Sequence, residues 1–373
     1  MRAAIFLTLL ACLAAAAFTS RIRNEMVDFE VYRTAGARAT AGESLYRATD
    51  EHYQFKYFPA FAFVFVPFAA LPVPAAKAVW FALSVGLLAA LLVLSLRQLP
   101  ARVVPASLVA IATILTLGKF YAHELTLGQA NLLFGVVAIG GLARLQNARD
   151  VGAGAMFGAA VVVKPYGLVF LPYLLATRRF RAAAACAAVL LLALSWPAVT
   201  YGIGGNLDLL GAWWEAVTTS TFANLTNQDN VSIAAMYAKW LGPGAFAQWL
   251  TIVTSVALVG MCAAVIAMRR PWARPEYLEV ALLLTAVGLL SPQGWDYVLL
   301  LSTPAIMLLV DALPRFNRML QVTTVACLAV IGLSIYDVVG RAAYARFMAL
   351  SIITVVYGVL IGVIVYVRAR QLR

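Results

Sequence analysis

The sequence predicts an all-α polytopic membrane protein with about twelve transmembrane helices and a large first outer loop, folded as one integral-membrane domain over residues 1–373. Three observations carry this. The chain is 63% hydrophobic and only 12% charged, where soluble domains are about 25% charged. Apolar runs recur along its whole length, and backbone groups in lipid must pair within their own segment, so these runs are helices. The charges are sorted by side. With the N-terminus inside, the inner connections hold sixteen cations against four acids (Asp150, Glu276, Glu279, Asp311), the outer ones eleven cations against twelve acids, and Lys77 lies within a span. The net charge of +12 is therefore a positive-inside signature, which excludes a nucleic-acid footprint.

The candidate spans are 3–20, 58–96, 103–118, 128–146, 151–163, 166–177, 182–200, 248–268, 277–291, 297–310, 319–338 and 345–367. A bilayer core takes about 20 apolar residues per straight helix, so several of these are short or broken. The first run also fits a cleaved signal peptide, since Ala14 to Ala17 precede Phe18; the following loop faces outward either way. Residues 58–96 are interrupted by Leu71-Pro72-Val73-Pro74 and are read as one net crossing with a kinked stretch, because two crossings would invert the charge asymmetry. Lys164-Pro165 separates two short runs. The polar segments 21–57 and 201–247 form the two large outer loops, with outer turns at 119–127, 292–296 and 339–344. The four cysteines are far apart in apolar runs and lack metal-ligand spacing, so they read as packing residues. The absence of an inverted repeat weighs against a transporter.

The outer polar residues carry the chemistry. Residues 21–57 hold six of the sixteen acids, with Asp28 and Glu30 in V-D-F-E-V. On a strand these two share a face; on a helix they diverge. A carboxylate at the membrane surface can take a proton from an incoming hydroxyl, and D-x-E can also hold a divalent cation; a metal-free reaction is preferred. In K-F-Y-A-H-E-L-T-L-G-Q-A-N (119–131), His123, Glu124, Gln129 and Asn131 crowd a span entrance. The amides either cap a helix or meet substrate. Lys164 either snorkels to headgroups or holds a phosphate at the interface, and the second reading is favoured. In L-S-P-Q-G-W-D-Y-V (290–298), Trp295 suits an interfacial belt, whereas Asp296 enters a span and needs a partner or a function. N-L-T-N-Q-D-N-V-S (224–232) follows Trp213 and Trp214, which fits either a sugar-binding surface or an interfacial helix.

Taken in order, D-F-E-V-Y and G-E-S-L-Y (28–46), K-Y-F-P (56–59), L-G-Q-A-N-L-L (127–133), K-P-Y-G-L with R-R-F-R (164–181) and L-L-S-P-Q-G-W-D-Y (289–297) resemble glycosyltransferase family 87 of the GT-C superfamily, over residues 20 to about 310. The resemblance implies a GT-C fold in the bacterial inner membrane with the active site facing the periplasm or exterior. It implies inverting transfer of a sugar, mannose as first guess, from a polyprenyl-phosphate donor to a glycolipid or envelope-glycan acceptor. Asp28 matches the family's general base. Lys164 and His123 become donor-phosphate ligands. Glu30, Tyr32, Tyr57, Glu124, Gln129, Asn131, Trp295 and Asp296 become substrate contacts. The chain departs from the family at Asp296-Tyr297, where a His often follows the Trp. The alternatives are a transporter or flippase of a lipid-linked glycan, and a metal-dependent transferase using Asp28 and Glu30.

Overall fold

The structure, a computed structural model, describes residues 12–269 and 274–370, the His52 side chain excepted. Residues 3–11 of the first candidate span, and Arg2, Arg270 and Arg373 of the inner charge count, lie outside the described residues. The described chain is helical and has no strand; one isolated bridge joins Asn230 to Trp295. Helix α1 (Val27–Ala41) follows residues 12–20, themselves helical. Then come α2 (Pro59–Val64), α3 (Val66–Ala69), α4 (Val73–Gln98), α5 (Ala106–Leu127), α6 (Asn131–Gln146), α7 (Asp150–Val163), α8 (Phe170–Ala176) and α9 (Phe180–Ser195). The rest are α10 (Ala198–Asn224), α11 (Ile233–Leu241), α12 (Ala245–Ala267), α13 (Glu276–Leu290), α14 (Thr303–Ala312), α15 (Arg318–Leu333), α16 (Tyr336–Val339), α17 (Arg341–Ala349) and α18 (Ile352–Ala369).

Among the described residues, five stretches are long and apolar enough to cross a bilayer: α4, α5, α12, Asp296–Arg315 and α18. A sixth appears if α9 and α10, bent by 91° at Trp196-Pro197, count as one broken span. That is fewer than the twelve expected. The difference lies in helices α6, α7 and α15, of 14 to 16 residues; at a ~1.5 Å rise they fall short of the ~30 Å hydrocarbon core. Helix α13 is buried along its length except at Leu290, as is α14, so this pair is apolar because it is the core. Residues 58–96 resolve as anticipated into one long helix, α4, preceded by the short α2 and α3 with a break at Leu71-Pro72.

Expected loops carry helix, α1 within 21–57 among them. Residues 119–127 complete α5 instead of forming a turn. Their polarity lowers the local hydropathy, but Lys119, His123 and Glu124 turn toward protein partners, which satisfies them without breaking the helix. Residues 201–247 are mostly α10 and α11. In the Thr/Ser-rich end of α10, Thr218, Thr219 and Thr221 satisfy their hydroxyls on carbonyls one turn back. Close packing elsewhere uses small residues. A Cβ on Gly154 would lie 2.0 Å from the Ala182 carbonyl oxygen, and one on Gly158 2.8 Å from that of Cys186, so G-x-x-x-G lets α7 and α9 touch backbone to backbone.

At the end formed by the Arg-rich connections, every acid is paired. Arg179 bridges Asp150 and Glu276, and Arg269 bridges Glu276 and Glu279. The fully buried Glu279 also accepts from Arg368 at 3.0 Å and from Tyr173 at 3.0 Å. Asp311 accepts from the amides of Val103 and Val104, both at 2.8 Å, and pairs with Arg315.

Candidate active site

The opposite end is open. Its central cleft, about 410 Å³, draws Asp28, Tyr53, Lys56, Tyr57, His123, Gln129, Lys164, Trp213, Asp229, Trp295 and Tyr297 from segments all assigned outward in the sequence. Local sequence explains how each arrives. Asp28 sits in the first turn of α1, where a carboxylate suits the positive end of the helix dipole. Helix α1 is anchored by Phe29 among Phe65, Phe68 and Trp80, and by Tyr32 against Tyr57 and Phe61. Gly128 ends α5 at φ +69°, and a Cβ there would meet the Phe29 Cβ at 2.8 Å. Only glycine gives both that turn and that approach. The next residue, Gln129, is thereby brought to Asp28. Lys164 precedes Pro165, which forces it into extended backbone (φ −144°, ψ 122°) between α7 and the turn Pro165–Val169. Its side chain enters the cleft where a helix would have carried it away.

One amide organises the centre. Gln129 Nε2 donates to Asp28 Oδ2 at 2.8 Å and lies 3.2 Å from the Tyr297 hydroxyl. Gln129 Oε1 accepts from Tyr32 Oη at 2.8 Å and from Lys164 Nζ at 3.1 Å. Lys164 Nζ also donates to Tyr57 Oη at 2.6 Å. Asp28 and Lys164 are thus linked through Gln129 and not joined as a direct ion pair. Burial raises the Asp28 carboxyl above its ordinary range, against the lowering pull of the Gln129 hydrogen bond and of the Lys164 and Lys56 charges. Burial likewise lowers the Lys56 ammonium.

A second cavity, about 1080 Å³ and lined by both apolar and charged residues, lies between residues 17–25, α5 and residues 334–345. It shares His123, Leu127 and Asp229 with the first, so these residues form a common wall. His123 Nδ1 lies 2.8 Å from Asp296 Oδ1, and the Asp296 amide donates to the Asp229 carbonyl. Lys119 Nζ donates to the Ser334 hydroxyl and carbonyl and lines the same cavity as Arg21 and Arg341.

The other sequence candidates fall elsewhere. Glu30 diverges from Asp28 around α1 and forms an ion pair with Lys77, outside the cleft lining. Glu124 and Asn131 are buried: Glu124 accepts from the Leu132 amide at 2.9 Å and from Asn131 Nδ2 at 2.7 Å, closing the start of α6. Tyr166 donates to Asn131 Oδ1 at 2.5 Å. Tyr32 lies behind the lining, in contact with Gln129. Asp296 lines the larger cavity and not the Asp28 cleft. Sequence reasoning missed Lys56 and Asp229 as site residues, although both stand in motifs it had singled out. Among the described residues no three His, Cys, Asp or Glu side chains converge as a metal site.

The family model for glycosyltransferase family 87 matches residues 55–292. The chain belongs to glycosyltransferase family 87. It is therefore a glycosyltransferase. The match contains Tyr57, His123, Glu124, Gln129, Asn131 and Lys164, while Asp28, Glu30, Tyr32, Trp295 and Asp296 of this family 87 enzyme lie outside it. It is also shorter than the resemblance read from the motifs, which begins near residue 20. Neither curated proteins nor solved structures yield a match to the chain.

Proposed function

We propose that this glycosyltransferase moves a sugar from a polyprenyl-phosphate donor to a glycolipid or envelope-glycan acceptor, by an inverting reaction with Asp28 as general base. The observation that carries it is the Asp28 carboxylate, bridged by one amide to Lys164 in a cleft that shares its His123 wall with a larger cavity. In this reading the prenyl chain runs along the apolar part of the larger cavity, over Ile22, Ala122, Leu127 and Ile335, and the phosphate lies between His123 and Lys164. The acceptor hydroxyl enters beside Asp28. Its oxygen attacks the anomeric carbon as the bond to phosphate oxygen breaks, Asp28 takes the hydroxyl proton, and polyprenyl phosphate leaves with the electron pair. A carboxyl raised by burial is a stronger base than a solvated one. Cations fixed before the reaction stabilise the charge on the departing phosphate. Tyr57, Gln129 and Trp295 position the sugars, with Asp296 orienting His123.

The reaction is proposed to run without a divalent metal, because Glu30 is turned from Asp28 and tied to Lys77. The site is proposed to face the periplasm or exterior of a bacterial inner membrane, since the Arg-rich connections lie at the other end. A panel of labelled polyprenyl-phosphate sugars, offered with envelope lipid extract to the purified enzyme in detergent, tests this. Transfer from one donor that persists in EDTA is the expected result. No transfer from any lipid-linked donor by a well-folded enzyme would overturn the reading and favour a flippase, to be assayed in sealed vesicles.

A further inference from the structure

A third cavity of about 480 Å³ continues from the Asp28 cleft along the outside of α1. The two share Val27, Val31 and Tyr53, and the groove adds Glu30, Thr34, Arg38 and Asp50. Its α1 residues recur at helical spacing, so they form one stripe along the helix. From Val27 to Arg38 the stripe runs eleven residues, about 16 Å at the α-helical rise, which exceeds the reach of a single sugar ring. The opposite wall comes from the turn Ala48–Tyr53, pinned to α1 by the Arg38–Asp50 ion pair. Arg38 Nη2 donates to Asp50 Oδ1 at 2.8 Å, so the groove's shape is fixed by a link across it. Tyr53 stands at the junction and is 55% exposed.

The groove's charged lining is two carboxylates and one guanidinium, with a hydroxyl and one exposed aromatic. Carboxylates accept from sugar hydroxyls and guanidinium donates to them, while an exposed aromatic face takes the apolar side of a pyranose. Glu30 pairs with Lys77 and Asp50 with Arg38, so the groove carries no excess of cation to draw an anionic ligand, and the two valines are too few for an acyl chain. We propose that this groove is a distal acceptor subsite for neutral glycan, so that the acceptor carries two or more sugars and its non-terminal rings lie along α1 while the terminal one reaches Asp28. The inference rests on the acceptor entering beside Asp28.

The test is direct binding, which needs no turnover. Full-length enzyme in detergent is titrated by saturation-transfer-difference NMR with neutral linear oligosaccharides of one to four residues, in mannose, glucose, galactose and arabinose series. At least one series gains tenfold or more in affinity from one residue to three. Thr34→Trp, at an exposed position that fills the groove, brings the trisaccharide to the monosaccharide value, and Tyr53→Ala weakens the longer ligands without unfolding the protein. Affinity that is flat with length in every series overturns the proposal. So does a length gain unaltered by both substitutions. A failed transfer assay with these length effects intact would implicate the proposed reaction and leave the subsite standing.

Discussion

The two ends of this molecule hold similar charges in opposite ways. At the Arg-rich end, Asp150, Glu276, Glu279 and Asp311 each have an arginine partner, and Asp311 also takes two backbone amides. At the other end, Asp28 has an amide for its hydrogen-bond partner, and its nearest cation in the network, Lys164, is spent on Gln129 and Tyr57. Both ends contain buried or half-buried carboxylates. Only one keeps them facing open volume. A carboxylate surrounded by guanidinium groups has its charge neutralised and its lone pairs occupied, so it closes helices together. A carboxylate raised by burial and facing a cleft stays available to take a proton. At the Arg-rich end direct pairing ties helices together, and at Asp28 an intermediary amide leaves a carboxylate open to the cleft.

Substitutions at each end break or sharpen this contrast. Asp28→Asn lowers kcat by roughly 10²–10⁴-fold, the range for a lost general base. It leaves thermal stability unchanged or higher, because a carboxyl raised by burial opposes folding at neutral pH. Glu279→Gln does the reverse. It removes the buried carboxylate that Arg269 and Arg368 share and destabilises by about 3–5 kcal/mol, read as a lower thermal midpoint, while the molecules that remain folded keep their turnover. Lys164→Ala raises the donor KM on the order of tenfold, as expected for a lost charge-assisted contact, with a smaller effect on the acceptor KM. A double-mutant cycle of His123→Gln and Asp296→Asn on kcat/KM returns a coupling of about 1–2 kcal/mol; additive effects would separate the two residues. The pH profile should show the smallest displacement. Asp28 must be ionised to act, so transfer falls as pH drops through its raised pKa. The acidic limb of kcat/KM lies above the ordinary carboxylate range and disappears in Asp28→Asn.

Much of this was legible in the sequence, and what was not has physical causes. Asp28, Tyr57, Gln129 and Lys164 stand out because a polar residue in so apolar a chain needs a reason, and the structure brings all four into one hydrogen-bonded network. The break before α4 was written in Leu71-Pro72. The C-terminal half of α5 was not legible, because Lys119, His123 and Glu124 read as a turn by hydropathy when their partners are distant in sequence. Ser334 and Asp296 supply two of those partners from 215 and 173 residues away. The role of Glu124 was hidden for a similar reason: a carboxylate that closes the start of α6 and one that meets substrate look alike until the Leu132 amide is seen beside it. Hydropathy alone does not separate full crossings from core helices, because a buried helix such as α13 is as apolar as one facing lipid.

The most direct test places Asp28→Asn and Glu279→Gln side by side, in one detergent, with turnover per folded molecule and thermal midpoint measured on both. The account predicts a crossed result: Asp28→Asn folded and inactive, Glu279→Gln less stable and active. Turnover retained by Asp28→Asn, or lost by Glu279→Gln at unchanged stability, would contradict it.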